Sequence, residues 1–337
     1  MQFVTPVDIP KSPIQIDHTK EVVLLGSCFA DNIGRCMQEA KFNVLVNPFG
    51  TLYNPLSIAW ILERTLEGDP FTPQSEELFK DGEGAWHSWM HHTDFSAQTA
   101  EELCQNMNKA GRQAAEALRH AGTLIVTLGT AIIYTLKADG RLVANCHKQK
   151  DSLFDRRRLG TEEITDRWTA LLRQLRQANP GLRVILTVSP IRHMRDGFHI
   201  NQLSKSTLLL AADQIIQKCK DDASMPATAY FPSYEIMMDE LRDYRFYADD
   251  MLHPSPTAIG HIWERFTQTH FSRETLSLID QCEKIAKALS HRPSHPDSPV
   301  YKAFIENTLR QIQTTVNNHP YIRMDKEIEK CNTLLEK

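Results

Sequence analysis

Short apolar runs rich in β-branched residues recur along this chain, and stretches of helical periodicity separate them. Val22–Leu25 runs into Gly26, Thr123–Leu128 into Gly129-Thr130, and Arg183–Val188 into Ser189-Pro190; Phe42–Val46 and Thr228–Phe231 read as further short strands. A run apolar at nearly every position is a strand covered on both faces. Between the runs, Ile58, Ile61 and Leu62 share one helical face, and Ile164, Trp168, Leu171, Leu172 and Leu175 share another. Strands joined through helices make parallel pairs, so the pattern predicts the α/β class: a three-layer α/β/α sandwich around a mostly parallel sheet. Further helices are expected from a Ser96 cap to His120, over 204–219 and over Tyr234–Leu241.

In such a sheet, ligands bind outside the carboxyl ends of the strands. The residues there are Ser27 and Cys28, Gly50, Gly129 and Thr130, the stretch from Ser189 to His193, and Asp250 to His253. Ser27 and Cys28 stand where a tight glycine turn meets a helix start, so free N–H groups can steady a thiolate or a developing oxyanion. Lowering of a thiol's pKa at such a position is expected. The alternative is that Ser27 only caps the helix and Cys28 packs as a small hydrophobe. Asp250-x-x-His253 precedes another helix; a carboxylate that orients a histidine facing a nucleophile is the logic of a catalytic triad. Asn145 and His147 follow an expected hairpin excursion through Asp139-Gly140 and read either as site groups or as a loop-fixing pair. Arg192, His193 and Arg195 read either as binders of an anionic group or as a solvated loop.

A net charge of −4 with mixed signs along the chain gives no reason to expect nucleic acid or a membrane surface as partner. The seven cysteines are scattered without a C-x-x-C pair, which argues against a disulfide framework or zinc ribbon. The amino terminus has no basic region followed by an apolar one, and a cytoplasmic location is expected. His87, His91, His92 and Asp94 match no metal-ligand spacing, and no phosphate loop or dinucleotide fingerprint occurs, so no metal or cofactor is expected. The expected domains are 1–271, with an insertion near 69–95 and the excursion near 132–146, and a helical appendage over 272–337. Its helices, Arg273–Leu289 and Tyr301–Val316, flank the proline-rich linker Ser290–Val300 and are expected to offer a face for a partner or a second copy.

Gly-Ser-Cys-Phe-Ala at 26–30 is followed in order by Asn47-Pro48-Phe49-Gly50, Thr127-Leu128-Gly129-Thr130, Asn145-Cys146-His147-Lys148, Ser189-Pro190-Ile191-Arg192-His193 and Asp250-Met251-Leu252-His253-Pro254-Ser255. This series resembles the GSCFA domain family, itself similar to the SGNH, or GDSL-like, hydrolases. The resemblance implies an esterase, deacetylase or acyltransferase acting on an acylated small molecule or glycan. It implies Cys28 or Ser27 as nucleophile, Asp250 and His253 as the other triad members, and Gly50 as a backbone donor. The asparagine expected beside Gly129-Thr130 is Ala131, so Asn145, Thr130, Asn47 or His147 stands in, or the protein is a silent relative that binds a ligand or partner.

Overall fold

The computed structural model describes residues 5–291, 293 and 298–336; the first four residues, part of the linker between the last expected helices, and the last residue lie outside them. The strands are β1 (Val22–Gly26), β2 (Val44–Val46), β3 (Leu78–Lys80), β4 (Trp86–Ser88), β5 (Thr123–Leu128), β6 (Ile132–Leu136), β7 (Leu142–Val143), β8 (Phe154–Arg158), β9 (Arg183–Val188) and β10 (Thr228–Phe231). Helices α1 (Cys28–Glu39), α2 (Pro55–Glu67), α3 (Ala100–His120), α4 (Thr161–Ala178) and α5 (Phe198–Asp221) interleave with them. There follow a short α6 (Ser233–Glu235), then α7 (Pro256–His270), α8 (Arg273–Ser290), α9 (Pro299–Asn318) and α10 (Asp325–Leu335).

Five strands form one parallel sheet in the order β10-β9-β5-β1-β2. Alternation along each strand feeds two cores. Val23, Leu25, Leu124, Val126, Val184 and Leu186 meet α2, α3, α4 and α5 on one face. Val22, Leu24, Ile125 and Ile185 meet α1, α7 and the amino-terminal Ile14 and Ile16 on the other. The expected α/β/α layering is therefore present. The chain leaves β1 toward β2 and later returns to β1's other side as β5. The topological switch thus lies between β1 and β5, where a crevice opens beyond the strand ends.

Two small antiparallel sheets stand apart from this one: β3–β4, and β7-β6-β8. The excursion pairs Tyr134 with Val143 as expected for a hairpin, and β8 adds a third strand on the far side of β6. Trp89 joins the two pieces, stacking on Phe79 at 3.6 Å and meeting Phe154 edge-on.

Several boundaries differ from the expectation. The cap of α3 is Thr99, which accepts from the Glu102 N–H; the Ser96 hydroxyl is engaged by His87 at 2.6 Å instead. The expected helix over Tyr234–Leu241 is α6 running into a π-helical Ile236–Glu240. Helix α5 begins at Phe198, earlier than 204, so the loop after β9 is short. Helix α10, for which no separate range is expected within the helical appendage, closes a separate core with α8 and α9 around Cys282, Ile285, Ile305, Ile312 and Cys331. Lys41 pairs with Glu327 and ties α10 to the turn after α1. Among the described residues, no helix is long and apolar enough to cross a membrane.

Candidate active site

A cavity of about 390 Å³ opens at the switch between β1 and β5. Its wall includes Ser27 and Cys28 from the first strand end, Tyr53 and Asn54 ahead of α2, Thr130 after β5, His193 after β9, and His253. The turn at Gly26 sets the first two. Gly26 has φ +133°, and an added Cβ would sit 2.1 Å from the Thr127 carbonyl oxygen. Only glycine lets β1 and β5 approach this closely while turning into α1. The Asn47 side chain holds the turn, accepting the Gly26 N–H at 2.9 Å and donating to Asp31 at 2.7 Å.

Ser27 is the cap of α1. It is buried, its N–H donates to Thr127 O at 3.1 Å, and its hydroxyl oxygen accepts from the Phe29 N–H at 3.3 Å. Cys28, one residue later, is half-buried at the first helical position. Burial and the Asp31 carboxylate push its thiol above the ordinary value, against the smaller opposing pull of its own N–H and Lys205. The expectation of a lowered thiol pKa is thus not met, because desolvation of the thiolate outweighs the helix end.

His253 and Asp250 form a close pair. His253 Nδ1 lies 2.5 Å from Asp250 Oδ2, and Asp250 Oδ1 accepts the N–H groups of Leu252 and His253 at 2.9 Å each. Those two backbone donors, then the ring, hold the Asp250 carboxyl down at about 2. Met251 takes φ +59° inside this loop, which folds the carboxylate back onto the following N–H groups. With Nδ1 engaged, Nε2 is the ring nitrogen left for chemistry. Among the described residues, no hydrogen bond joins Cys28 to His253; they share a cavity wall.

The expected oxyanion donors are arranged otherwise. Gly50 has φ +76°, but its N–H donates to Asn47 O at 2.8 Å in its own turn and it does not line the cavity. The N–H groups of Gly129 and Thr130 both donate to Tyr53 O, at 2.8 and 2.9 Å. The Thr130 hydroxyl meets Ser204 Oγ at 3.0 Å. Asn145 and His147 lie in the excursion, outside the cavity wall. Asn145 accepts the His147 N–H, and the His147 ring bonds Ser88 O at 2.7 Å, so they act as the loop-fixing pair. Burial drops the His147 ring to about 4.

Instead, the cavity-wall N–H groups of Tyr53 and Asn54 meet no protein acceptor among the described residues. The helix cap at Asn54, followed by Pro55, is legible in sequence, but the freedom of these two donors is not. His193 lines the wall with its ring driven to about 4, chiefly by burial, and its Nε2 is buried without a partner.

Lys205 was not singled out from sequence. It is fully buried on α5, and its ammonium donates to Gly129 O at 2.6 Å and Ser189 O at 2.7 Å. Burial lowers it to about 7. The signal was available: Lys205 sits in the inward stripe of Asn201, Ser204, Leu208, Ala211 and Ala212, where a charge needs a reason.

Residues 21–266 match the GSCFA family, and residues 282–337 match the GSCFA domain protein, C-terminal domain. This chain belongs to the GSCFA family. Among solved structures, the GSCFA protein is similar to an acetyl xylan esterase (Est2A) from the rumen bacterium Butyrivibrio proteoclasticus, at 11% identity and a TM-score of 0.37. The match covers 79% of this chain and 66% of that one, just under two thirds of the esterase's length. No curated protein matches the chain.

Proposed function

We propose that this GSCFA protein transfers acyl groups through Cys28, with His253 as general base and Asp250 as its orienting carboxylate. The observation that carries the reading is the Asp250–His253 pair, 2.5 Å apart, whose His253 shares a cavity wall with Cys28 at the sheet's switch point. Cys28 Sγ attacks the acyl carbonyl while His253 Nε2 takes the thiol proton. The bond to the leaving group breaks, and His253 returns the proton to the leaving oxygen or nitrogen. Water, or an acceptor hydroxyl, then attacks the thioester and loses its proton through His253. This releases the acid or the new ester and restores the thiol. Among the described residues, the unengaged N–H groups of Cys28 at the helix start, Tyr53 and Asn54 are donors for the oxyanion, in place of Gly50. Hydrolysis of an acylated small molecule or glycan and transfer of its acyl group to an acceptor hydroxyl differ only in the second nucleophile.

A second reading is a silent relative that binds a ligand. The engaged N–H groups of Gly50, Gly129 and Thr130 and the raised thiol favour it. Intact-mass measurement after incubation with small activated esters and thioesters separates the two. The catalytic reading expects one acyl group per chain at Cys28, abolished in Cys28→Ala and strongly reduced in His253→Ala. Wild type left unlabelled by every donor sinks it.

A further inference from the structure

The loop after β9 carries two arginines whose electrostatic situations differ. Arg195 is paired with Asp151 at 2.5 Å. Arg156, from β8, takes the carboxylate of Asp196, the acid of this loop that lines the cavity. Asp250, on the opposite side, is engaged by His253 and two backbone N–H groups. Arg192 alone of these cations meets no carboxylate among the described residues, and it lines the cavity. Its guanidinium lies 4.2 Å from the centre of the Phe198 ring, at the start of α5, and its backbone N–H donates to Leu252 O at 3.3 Å. The ring positions the side chain, and the backbone bond fastens the residue to the loop that bears His253. Burial pushes the hydroxyls of Tyr234 and Tyr247 up, and the nearby Arg192 charge only partly opposes it, while the side chain of Lys205 lies buried beneath the same strand ends.

A half-buried guanidinium held flat by an aromatic ring and left without a counter-ion is prepared for an anion. Its planar fork matches a carboxylate or phosphate with two parallel bonds. Among the described residues, the cavity wall holds no uncommitted acid to repel such a group. We propose that the cavity selects acyl compounds bearing an anionic group, a carboxylate or a phosphate, and that Arg192 is the residue that binds it. The inference rests on the acyl-transfer reading for its substrate, but binding of the anion can be measured without turnover.

The kinetic test compares acylation of Cys28 by 4-nitrophenyl acetate with that by the 4-nitrophenyl half-ester of succinic acid, in wild type and Arg192→Gln. The expected result is that the rate ratio of half-ester to acetate falls about five- to tenfold in Arg192→Gln, the size of one partly screened charge-assisted contact. An unchanged ratio overturns the proposal and leaves the acyl-transfer reading intact. If neither ester acylates wild type, a protection experiment decides the anion site alone, independently of the acyl-transfer reading. Succinate or inorganic phosphate is expected to slow iodoacetamide alkylation of Cys28 saturably in wild type and not in Arg192→Gln; the anion that protects at lower concentration names the group. Absence of protection by both anions in wild type overturns the proposal even if the variant does not fold, and equal protection in a folded Arg192→Gln removes Arg192 from it.

Discussion

At the scale of single residues, Ser27 and Cys28 carry similar nucleophiles one position apart, and the helix start treats them differently. A cap must hold extended backbone and direct its side chain at the N–H groups ahead, which commits the Ser27 oxygen to Phe29. The next residue is already helical and projects sideways, which leaves the Cys28 sulfur on the cavity wall. Ser27→Ala is therefore expected to lower stability by about 1 kcal/mol through loss of the cap, read as a shifted urea midpoint, while one-to-one acylation at Cys28 persists. The raised Cys28 thiol has a kinetic consequence as well. Thiolate is scarce at neutral pH, so alkylation by iodoacetamide should keep rising above the ordinary thiol value of about 8.5. A rate that levels off below neutrality would instead indicate a preformed thiolate–imidazolium pair.

Among the elements, Lys205 joins three: α5, the end of β5 and the end of β9, the two strand ends being linked to each other by the Ser189 N–H to Leu128 O bond at 2.8 Å. Carbonyls at a sheet's carboxyl edge have no following strand residue to bond, and here a buried ammonium caps two of them. The Gly129 N–H is held in turn by Tyr53 O, so both polar groups of this residue are engaged. Lys205→Met removes the cost of burying a charge but leaves both carbonyls dry. The net loss is expected on the order of 1–3 kcal/mol, since an unsatisfied buried acceptor costs about that much. Chemical unfolding measures it, and a Lys205→Met protein as stable as wild type would show that the two bonds contribute nothing net.

For the molecule as a whole, histidine burial sets the acid side of the stability curve. His91 and His270 are both fully buried, with rings lowered by desolvation to about 3 and about 4. The unfolded chain binds a proton at each below pH ~6.5, whereas the folded chain does not until its lower value is reached. Between those limits the unfolded state holds more protons, so stability falls as pH falls. Each ring should contribute a loss on the order of 2 kcal/mol at pH 5 relative to pH 8. Thermal unfolding at the two pH values tests this, and His270→Asn, which keeps a polar group without a titrating one, should flatten the acid limb.

The layering was legible in the sequence because it depends on local repetition: Val22–Leu25, Thr123–Leu128 and Arg183–Val188 are apolar at nearly every position, and only a strand covered on both faces uses such a run. The Asp250-x-x-His253 pair was legible for the same reason, since a loop of four residues brings its own ends together. Occupancy of donors and acceptors was not. The Gly50 N–H is engaged within its own turn, those of Gly129 and Thr130 are engaged by Tyr53, and the Ser96 hydroxyl is engaged by His87. The Tyr53 partner is set by how segments more than seventy residues apart pack, a property no window of sequence contains, and the His87 partner by the fold of an irregular insertion without periodicity. Lys205 is the sharpest instance: α5's inward stripe announces a buried charge, but the carbonyls that receive it belong to strands brought beside it only when the sheet closes.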